Sequence, residues 1–439
     1  MNTKTRLATA AATLSIARFA HAAGSDQLKL ALVGCGGRGA GAANQALTAD
    51  SNMKLVAVAD AFRDKLEVGL KSLKTQQKER VDVPEERQFV GLDGFKHAIA
   101  ASDVVVLATP CAFRPAHFEE AVRQGKHVFL EKPVAVDAPG VRRVLAAAEE
   151  AKRKGLKVAV GFQRRHKEGF QEMVKRIHDG QIGRLVYTRA YADTPLRTGI
   201  ERKPEWSELE YQLRNWYYFS WLSADFIVDN LVHGIDISNW VHRGYPVRCH
   251  GMGGLTQHTK EYGNLFDHFT CEWEYESGAR LHGECHRFVG AWVSVTNHAT
   301  GTEGDADFID GREMFTITGK HPWQMPRNRT QNPYQQEHDD FFRAIRNNMP
   351  YNEVEYGARS TLTAIMGRMA AYSGKLVTWD EAFNSNFRLA PDITSLNDAP
   401  PVLPDKDGLY EISVPGKVKA FRTGSSRREE APTDLVFGI

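Results

Sequence analysis

Cysteine is scarce in this chain, which has five cysteines among 439 residues. They are odd in number, lie far apart and include no Cys-x-x-Cys pair. That pattern argues against a disulfide framework and against a zinc site. His282 and His286 alternate along a predicted strand, but no third ligand at metal spacing accompanies them. No metal is therefore predicted.

An excess of charge of one sign and a long apolar run are also lacking. Lys and Arg number 56, Asp and Glu number 54, and the basic residues are scattered. Nucleic-acid-binding domains carry a clustered basic surface, so no nucleic-acid partner is expected. The body of the chain has no apolar stretch of membrane-spanning length, so we expect a soluble mature protein without a membrane partner. With 42% hydrophobic residues, a chain of this length favours two domains.

The N-terminus has a composition of its own. A basic start precedes the small apolar run Leu7–Ala17, and Ala20-His21-Ala22 fits a small-x-small cleavage site. The pattern predicts an export signal over residues 1–24 and a periplasmic or secreted protein. Arg18 interrupts the apolar part, so an alanine-rich leader on a cytoplasmic protein is the alternative.

A glycine-rich turn lies between a predicted strand, Lys29–Val33, and a predicted helix, Ala40–Leu47. Strand, turn and helix in this order are typical of a dinucleotide-binding site. In such a turn the first glycine permits the tight bend, the second allows a pyrophosphate to approach, and the third lets the helix pack closely. The N-terminus of the helix then offers free N–H groups to the phosphates. The candidate cofactor-binding residues here are Gly34, Gly36, Gly37, Arg38 and Gly39.

A carboxylate follows the next predicted strand, Lys54–Ala59. Asp60 stands where a dinucleotide site places the acid that holds the adenosine ribose hydroxyls and repels a 2′-phosphate. The sequence therefore favours NAD over NADP, although Arg63 nearby offers a group for a phosphate. Whether the cofactor stays tightly bound between turnovers is left open.

Two later strands complete the predicted cofactor site. Val104–Ala108 leads to Thr109-Pro110, and His127–Leu130 leads to Glu131-Lys132-Pro133. Ligands of a doubly wound parallel sheet bind at the carboxyl ends of its strands, so Thr109, Pro110, Glu131 and Lys132 are predicted to border the nicotinamide. Residues 25–160 are thus predicted to form an α/β Rossmann domain, with Lys132 as a candidate for proton transfer.

The ordered motifs resemble those of the Gfo/Idh/MocA family, which includes glucose-fructose oxidoreductase and inositol dehydrogenase. The resemblance extends over roughly Leu28 to Trp379 and is closest to secreted members from sugar-degrading bacteria, which share Arg214–Phe219 and Asp229–Asp236. It implies an NAD-dependent oxidoreductase that forms dimers or tetramers. The motifs that carry it are Gly34-x-Gly36-x-x-Gly39, Asp60, Thr109-Pro110, His117, Gly125-Lys126-His127-Val128 and Glu131-Lys132-Pro133.

A second group of polar residues is Asp229-x-x-x-His233-x-x-Asp236, on a predicted helix over Ile227–Val241. Helical spacing places Asp229 and His233 one turn apart on one face. By resemblance, His233 transfers the proton of the reacting hydroxyl with help from Lys132, and Asp229 orients the substrate or the imidazole. A histidine or lysine beside a nicotinamide is suited to this step. The alternative is a buried histidine satisfied by Asp229.

Further substrate contacts are predicted in two places. Arg164 and His166 follow the Rossmann domain at the crossover, and Trp216 and Tyr217 belong to an aromatic stretch that is able to stack on a sugar ring. Such a stretch is more often core, and polar residues at a crossover are often merely exposed. Asp236 either binds sugar hydroxyls or makes a helix contact.

The second domain is predicted over residues 161–330 as α+β, with a large, open and mostly antiparallel sheet. Its strand candidates are Leu185–Ala192, Val247–Met252, Asp267–Tyr275, Ala279–Phe288 and Phe315–Thr318. A sheet face without helix cover is a natural subunit interface, so a homodimer or homotetramer is expected. Residues 331–388 are predicted as helices that return to the first domain, and residues 389–439 as an extended arm.

The leading hypothesis is hydride transfer between NAD(H) and a ring carbinol of a sugar, sugar derivative or cyclitol. The alternative is an NAD-dependent glycosidase, resembling α-N-acetylgalactosaminidases, that oxidises a sugar transiently, eliminates the aglycone, adds water and reduces the product again. Net cofactor reduction distinguishes the two. A non-catalytic sugar-binding or cofactor-binding protein is a lesser alternative.

Overall fold

The computed structural model describes residues 26–195, 198–326 and 332–417. The predicted export signal and residues 418–439 of the predicted arm lie outside the described residues. Within the described ranges, no helix is long and apolar enough to cross a bilayer, and no group of three or more His, Cys, Asp or Glu side chains is placed to hold a metal ion.

The first domain is built on a six-stranded parallel sheet. Its strands are β1 (Leu28–Val33), β2 (Met53–Asp60), β3 (Gln88–Val90), β4 (Val104–Leu107), β5 (His127–Leu130) and β6 (Val158–Val160). The helices of this part are α1 (Gly37–Ala49), α2 (Arg63–Gln76), α3 (Gly94–Ala100), α4 (Arg114–Arg123) and α5 (Ala138–Arg153). The central strands are continuous apolar runs because helices cover both faces of the sheet. The strand order β3-β2-β1-β4-β5-β6 changes direction between β1 and β4, which opens a crevice at their carboxyl ends.

The second domain contains a nine-stranded sheet in which β7 and β10 pair in parallel and the other neighbours are antiparallel. The order is β14-β13-β12-β11-β7-β10-β9-β8-β15. The strands are β7 (Leu185–Asp193), β8 (Pro246–Gly254), β9 (His268–Tyr275), β10 (Arg280–His286), β11 (Ser294–Gly301), β12 (Gly304–Ile309), β13 (Met314–Gly319), β14 (Trp323–Gln324) and β15 (Val377–Thr378). The second domain thus has the predicted α+β class, with a large and mostly antiparallel sheet.

Helices line one face of the second sheet and connect it to the first domain. α11 packs on α1, while the long and almost fully buried α12 packs on α5, α10 and β8. The helices are α6 (Glu168–His178), α7 (Glu208–Arg214), α8 (Ser220–Ser223), α9 (Phe226–Asp229), α10 (Val232–His242), α11 (Pro333–Arg346), α12 (Val354–Ser373) and α13 (Trp379–Asn384).

The single helix predicted over Ile227–Val241 is wrong, because the chain forms α9 and α10 with a break between them. The side chain of Asp225, at a φ of 81°, accepts a hydrogen bond from the N–H of Phe226 and starts α9 separately. The N–H of Leu231 then donates to the carbonyl of Phe226, five residues back, at 3.3 Å. The break turns Asn230 toward the cavity described below.

Candidate active site

A cavity of about 510 Å³ lies at the carboxyl ends of the first-domain strands and also receives side chains from the second domain. This volume is typical of small-molecule sites, which range over about 300–1,000 Å³. All ten predicted cofactor-binding residues line it, together with Asp229, His233, Trp216 and Tyr217. Residues separated by up to two hundred positions in the chain therefore share one cleft.

The glycine turn has the shape that a pyrophosphate requires. Gly34 has a φ of +95°, and a Cβ there would lie 2.7 Å from the backbone of Ala108. A Cβ at Gly39 would lie 1.9 Å from the carbonyl oxygen of Gly34, so only glycine lets α1 approach the strand this closely. At Gly36 and Gly37 a Cβ would meet no atom within 4 Å. The open backbone at the N-terminus of α1 fits a dinucleotide phosphate.

Asp60 is fixed beside this turn at the end of β2. Its carboxylate accepts the backbone N–H of Cys35 at 2.8 Å and that of Phe62 at 3.1 Å. Burial raises the pKa of Asp60 from its ordinary value, against the lowering effect of these two hydrogen bonds. Arg63 points away and donates to Gln88 at 3.4 Å. Lys65 is the basic residue of this segment that lines the cavity.

The cavity wall near Glu131 is formed by two residues that the sequence analysis did not predict, Gln163 and Tyr334. The Nε of Arg38 lies 2.9 Å from a carboxylate oxygen of Glu131, and its guanidinium lies 5.0 Å from the ring centre of Tyr334. Gln163 donates to the Tyr334 hydroxyl at 3.0 Å. Tyr334 comes from α11, far along the chain, so no local pattern indicated it.

Lys132 is paired with Asp229 across the domain boundary. Its ammonium donates to the carbonyl oxygen of Asp229 at 2.7 Å and lies 3.5 Å from a carboxylate oxygen of the same residue. The peptide bond between Lys132 and Pro133 is cis, and the guanidinium of Arg114 donates to the carbonyl oxygen of Pro133. The ammonium is thus held at a defined place in the cavity wall.

His233 lines the same cavity, with its ring edge against Phe162 at a centroid distance of 5.8 Å. Burial lowers its pKa well below the ordinary histidine value, and the cations of Lys132 and Arg164 lower it further. The imidazole is therefore neutral at neutral pH and able to accept a proton. Its Nδ1 has no hydrogen-bond partner among the described residues, so Asp229 does not satisfy it.

Asn230 and Arg287 position the hydroxyl of Tyr217, and Asn230 also positions the carboxylate of Asp229. The amide of Asn230 donates to the Tyr217 hydroxyl at 2.8 Å and to the Asp229 carboxylate at 3.1 Å. The guanidinium of Arg287 also donates to the Tyr217 hydroxyl. Neither Asn230 nor Arg287 was predicted. Asn230 follows Asp229 directly, but a continuous helix would have pointed it elsewhere.

Comparison with known families identifies the two domains that form this cleft. Residues 28–162 match the profile described as "Oxidoreductase family, NAD-binding Rossmann fold", and residues 170–307 match the GFO/IDH/MocA C-terminal domain. This chain belongs to the GFO/IDH/MocA oxidoreductase family. The first domain of this GFO/IDH/MocA protein is the NAD-binding domain, as the resemblance implied.

The curated relatives include cyclitol dehydrogenases. The chain is 30% identical over 192 residues to the inositol 2-dehydrogenase/D-chiro-inositol 3-dehydrogenase of Halalkalibacterium halodurans, which covers 44% of this chain and 46% of that protein. It is 24% identical over 280 residues to the scyllo-inositol 2-dehydrogenase (NAD(+)) of Bacillus subtilis, covering 63% and 72%. This GFO/IDH/MocA chain spans about half the length of the first of these relatives.

Solved structures show the same fold. The scyllo-inositol dehydrogenase of Lactobacillus casei, with bound NAD(H) and scyllo-inositol, matches with a TM-score of 0.61 at 20% identity, covering 80% of this chain and 99% of that chain. The aldose-aldose oxidoreductase of Caulobacter crescentus matches with a TM-score of 0.62 at 18% identity, covering 80% and 99%. About a fifth of this GFO/IDH/MocA protein thus lies outside each match.

Three predicted substrate ligands need correction, because none of them lines the cavity. Asp236 is 1% exposed, and its carboxylate accepts two hydrogen bonds from the Arg165 guanidinium, both at 2.8 Å. It also accepts a hydrogen bond from the hydroxyl of Ser360 at 2.8 Å. The structure therefore shows the alternative role of Asp236, a helix contact. His166 lies between Asp340 and Glu353, at 2.8 and 3.1 Å, and although burial lowers its pKa, the interactions of the imidazole with these two carboxylates raise the pKa to about 10.

Arg164 is likewise buried outside the cavity, with its guanidinium 3.2 Å from the side-chain oxygen of Asn297. It acts on the site only at a distance, through its effect on the pKa of His233. The side chains of Arg164, Arg165 and His166 therefore contact other protein side chains, and none of the three lines the cavity.

Proposed function

We propose that this protein is an NAD-dependent dehydrogenase, or a reductase in the opposite direction, acting on a ring hydroxyl of a cyclitol or sugar. One observation carries the proposal. The Lys132–Asp229 pair and the neutral His233 lie on the wall of the same cavity as the glycine turn and Asp60. The activity of the curated relatives as inositol dehydrogenases supports the substrate class.

The residues present supply the proton chemistry of such a reaction. When bound, NAD supplies the carbon that accepts the hydride. A carbinol carbon releases a hydride only as its O–H proton is removed, and the neutral imidazole of His233 is placed to accept that proton. The Lys132 ammonium, fixed by Asp229, stabilises the negative charge that develops on the oxygen. In the reverse direction His233 returns the proton.

The charge balance of the cavity supports a neutral polyol as substrate. The Lys132 ammonium is already compensated by Asp229, and the Arg38 guanidinium by Glu131. The side chains that are able to hydrogen-bond to substrate hydroxyls lie close together, and they are those of Asp229, Asn230 and Tyr217. Trp216 contributes a flat apolar wall. Hydroxyl groups on a ring fit this mixture of donors, acceptors and aromatic surface.

A panel of cyclitols, sugars, sugar acids and aryl glycosides tests the proposal. The purified protein with NAD⁺ is followed for reduced nicotinamide and released aglycone in the same cuvette. We expect reduced nicotinamide with at least one cyclitol or sugar and no aglycone. Aglycone without net reduction would show the glycosidase instead, which the dehydrogenase relatives do not favour. Neither product with any member would contradict both.

We further propose export to the periplasm and association into a homo-oligomer. The basic, apolar and small-x-small pattern of residues 1–24 supports export. The N-terminal sequence of protein recovered from the periplasm checks it, and recovery of an uncleaved chain from the cytoplasm would contradict it.

The face of the second sheet opposite α10 and α12 supports association, because it carries Tyr191 packed edge-on against Trp292, which is 64% exposed.

A further inference from the structure

The short helix α7 of the second domain is attached to the first domain directly beside Asp60. The guanidinium of Arg214, the last residue of α7, lies 3.9 Å from the ring centre of Phe62 and contacts both carboxylate oxygens of Asp64, at 3.1 and 3.0 Å. Its Nε also donates to Glu210 at 2.8 Å. The planar guanidinium, stacked on Phe62 and paired with Asp64 through its Nη1, joins α7 to the first domain in a way that the flexible ammonium of a lysine would not reproduce.

These contacts border the cofactor cleft. The backbone N–H of Phe62 donates to the Asp60 carboxylate, and Phe62 lines the cavity together with Leu213, which directly precedes Arg214 in sequence. The second domain therefore contributes one wall of the cavity at the end where Asp60 is predicted to hold the adenosine ribose. The catalytic pair of Lys132 and Asp229 belongs to the other end of the cleft, where the nicotinamide is predicted.

The outer side of α7 is covered by the C-terminal arm. Tyr410 of the arm is 1% exposed, packs edge-on against Phe219 at 5.0 Å and donates its hydroxyl to Glu208 at 2.5 Å. The fully buried side chain of Gln212 donates to the carbonyl oxygen of Val402 at 2.6 Å. An isolated helix of seven residues is not stable in water, so these contacts determine where α7 lies.

We infer that Arg214, Phe62 and Asp64 form a clamp, backed by the arm, that closes the adenosine end of the cleft and makes release of the cofactor slow. The inference rests on the proposed NAD site. Opening the clamp requires the Arg214 contacts to break and α7 to separate from Tyr410 and Val402 of the arm. The substrate end of the cleft does not depend on these contacts. Product therefore leaves first, and release of the reduced cofactor through the opened clamp is the slow step of a turnover.

The rate of NADH release from the full-length protein tests the clamp. Protein loaded with NADH is mixed with excess NAD⁺, and the loss of bound-NADH fluorescence gives the release rate. We expect Arg214→Ala to release NADH at least about tenfold faster than the wild type, which corresponds to about 1.4 kcal/mol. Arg214→Lys retains the charge but loses the planar guanidinium that stacks on Phe62, so its release rate should lie between those of the wild type and Arg214→Ala. Arg143→Ala, which breaks an exposed pair with Glu119, is the matched control.

A second variant guards against misfolding at position 214. Asp64→Asn keeps the side-chain size, lies on the exposed side of the contact and should also accelerate release, with an unchanged thermal unfolding midpoint. Equal release rates in the wild type, Arg214→Ala and Asp64→Asn would overturn the clamp while leaving the proposed function intact. Absence of NADH binding to the wild type would overturn both.

Discussion

At the scale of single residues, the site depends on two basic groups in different electrostatic conditions. Lys132 has a carboxylate partner in Asp229, whereas among the described residues His233 has no carboxylate partner and lies near the cations of Lys132 and Arg164. Asp229 therefore fixes the position of the Lys132 ammonium, whereas burial, with the nearby cations, lowers the pKa of His233 and keeps the imidazole neutral. A charged donor and a neutral acceptor beside one another are what the transfer of a hydroxyl proton requires.

The low pKa of His233 predicts the pH dependence of oxidation. The neutral imidazole is the active form, and its folded-state pKa lies below 6.5, so activity should persist as the pH falls through 6.5 and decline only at lower pH. The pH profile of kcat/KM for the best substrate of the panel checks this. An acid limb at or above pH 6.5 that disappears in His233→Gln would contradict the account.

At the scale of elements, the turn between β1 and α1 gives a test that separates binding from folding. A Cβ at Gly36 meets no atom within 4 Å, so Gly36→Val should leave the thermal unfolding midpoint nearly unchanged while its side chain enters the phosphate cradle. We expect NAD affinity to fall at least about tenfold, measured by titration calorimetry. Gly311→Val, at another open glycine far from the cavity, is the control. Equal affinity in both variants would show that the phosphates lie elsewhere.

The crossover between the domains gives a second test at this scale. Asp236 joins α10 to Arg165 and to Ser360 of α12. Asp236→Ala leaves the Arg165 guanidinium without its partner, and breaking a buried pair in this way costs about 3–5 kcal/mol of unfolding free energy. Urea denaturation measures the loss. The double variant Asp236→Leu/Arg165→Met should recover much of the lost unfolding free energy. A higher KM in Asp236→Ala with unchanged stability would instead support a role of Asp236 in sugar binding.

The sequence predicted the strands and helices that have a clear apolar period, and it failed where other features determine the structure. β11 was missed because its buried positions include Ser294 and Asn297, which obscure an apolar alternation. β12 does alternate at the buried Ala306 and Phe308, but it has six residues and includes Gly304 and two aspartates, residue types that are depleted in strands. The break after α9 depends on Asp225 at positive φ, which sequence does not reveal. Asp236 was assigned to substrate because its partner, Arg165, is distant in the chain.

At the scale of the whole molecule, the cleft exists only because the two domains are held together. The cofactor motifs are local, contiguous patterns and could be predicted from the sequence. Asn230, Tyr334, Arg287 and the Arg214 contacts come from elements far apart in the chain, and their approach depends on the packing of α7, α10 and α11. No alternation or spacing rule encodes contacts at that separation.

The exposed Trp292, in the connection between β10 and β11, and the partly buried Tyr191 of β7 that it packs against suggest where copies of the chain associate. Trp292 and Tyr191 would be buried in the proposed interface, where large aromatic side chains contribute most of the binding energy. Trp292→Ala with Tyr191→Arg should convert the oligomer to monomer in sedimentation-velocity experiments. Arg143→Ala, on the first domain, serves as the control. A wild type that sediments as a monomer, or a double variant with unchanged mass, would contradict the proposed interface.

Hydride transfer in a single turnover tests the central claim most directly. Protein loaded with NAD⁺ is mixed rapidly with cyclitols and sugars, and the formation of reduced nicotinamide is followed for the wild type, Lys132→Ala and His233→Ala. The account predicts that the wild type forms reduced nicotinamide with a ring polyol and that each variant is slower by about 10² to 10⁴. Equal rates in all three proteins, or no reduced nicotinamide in the wild type with any polyol, would contradict it.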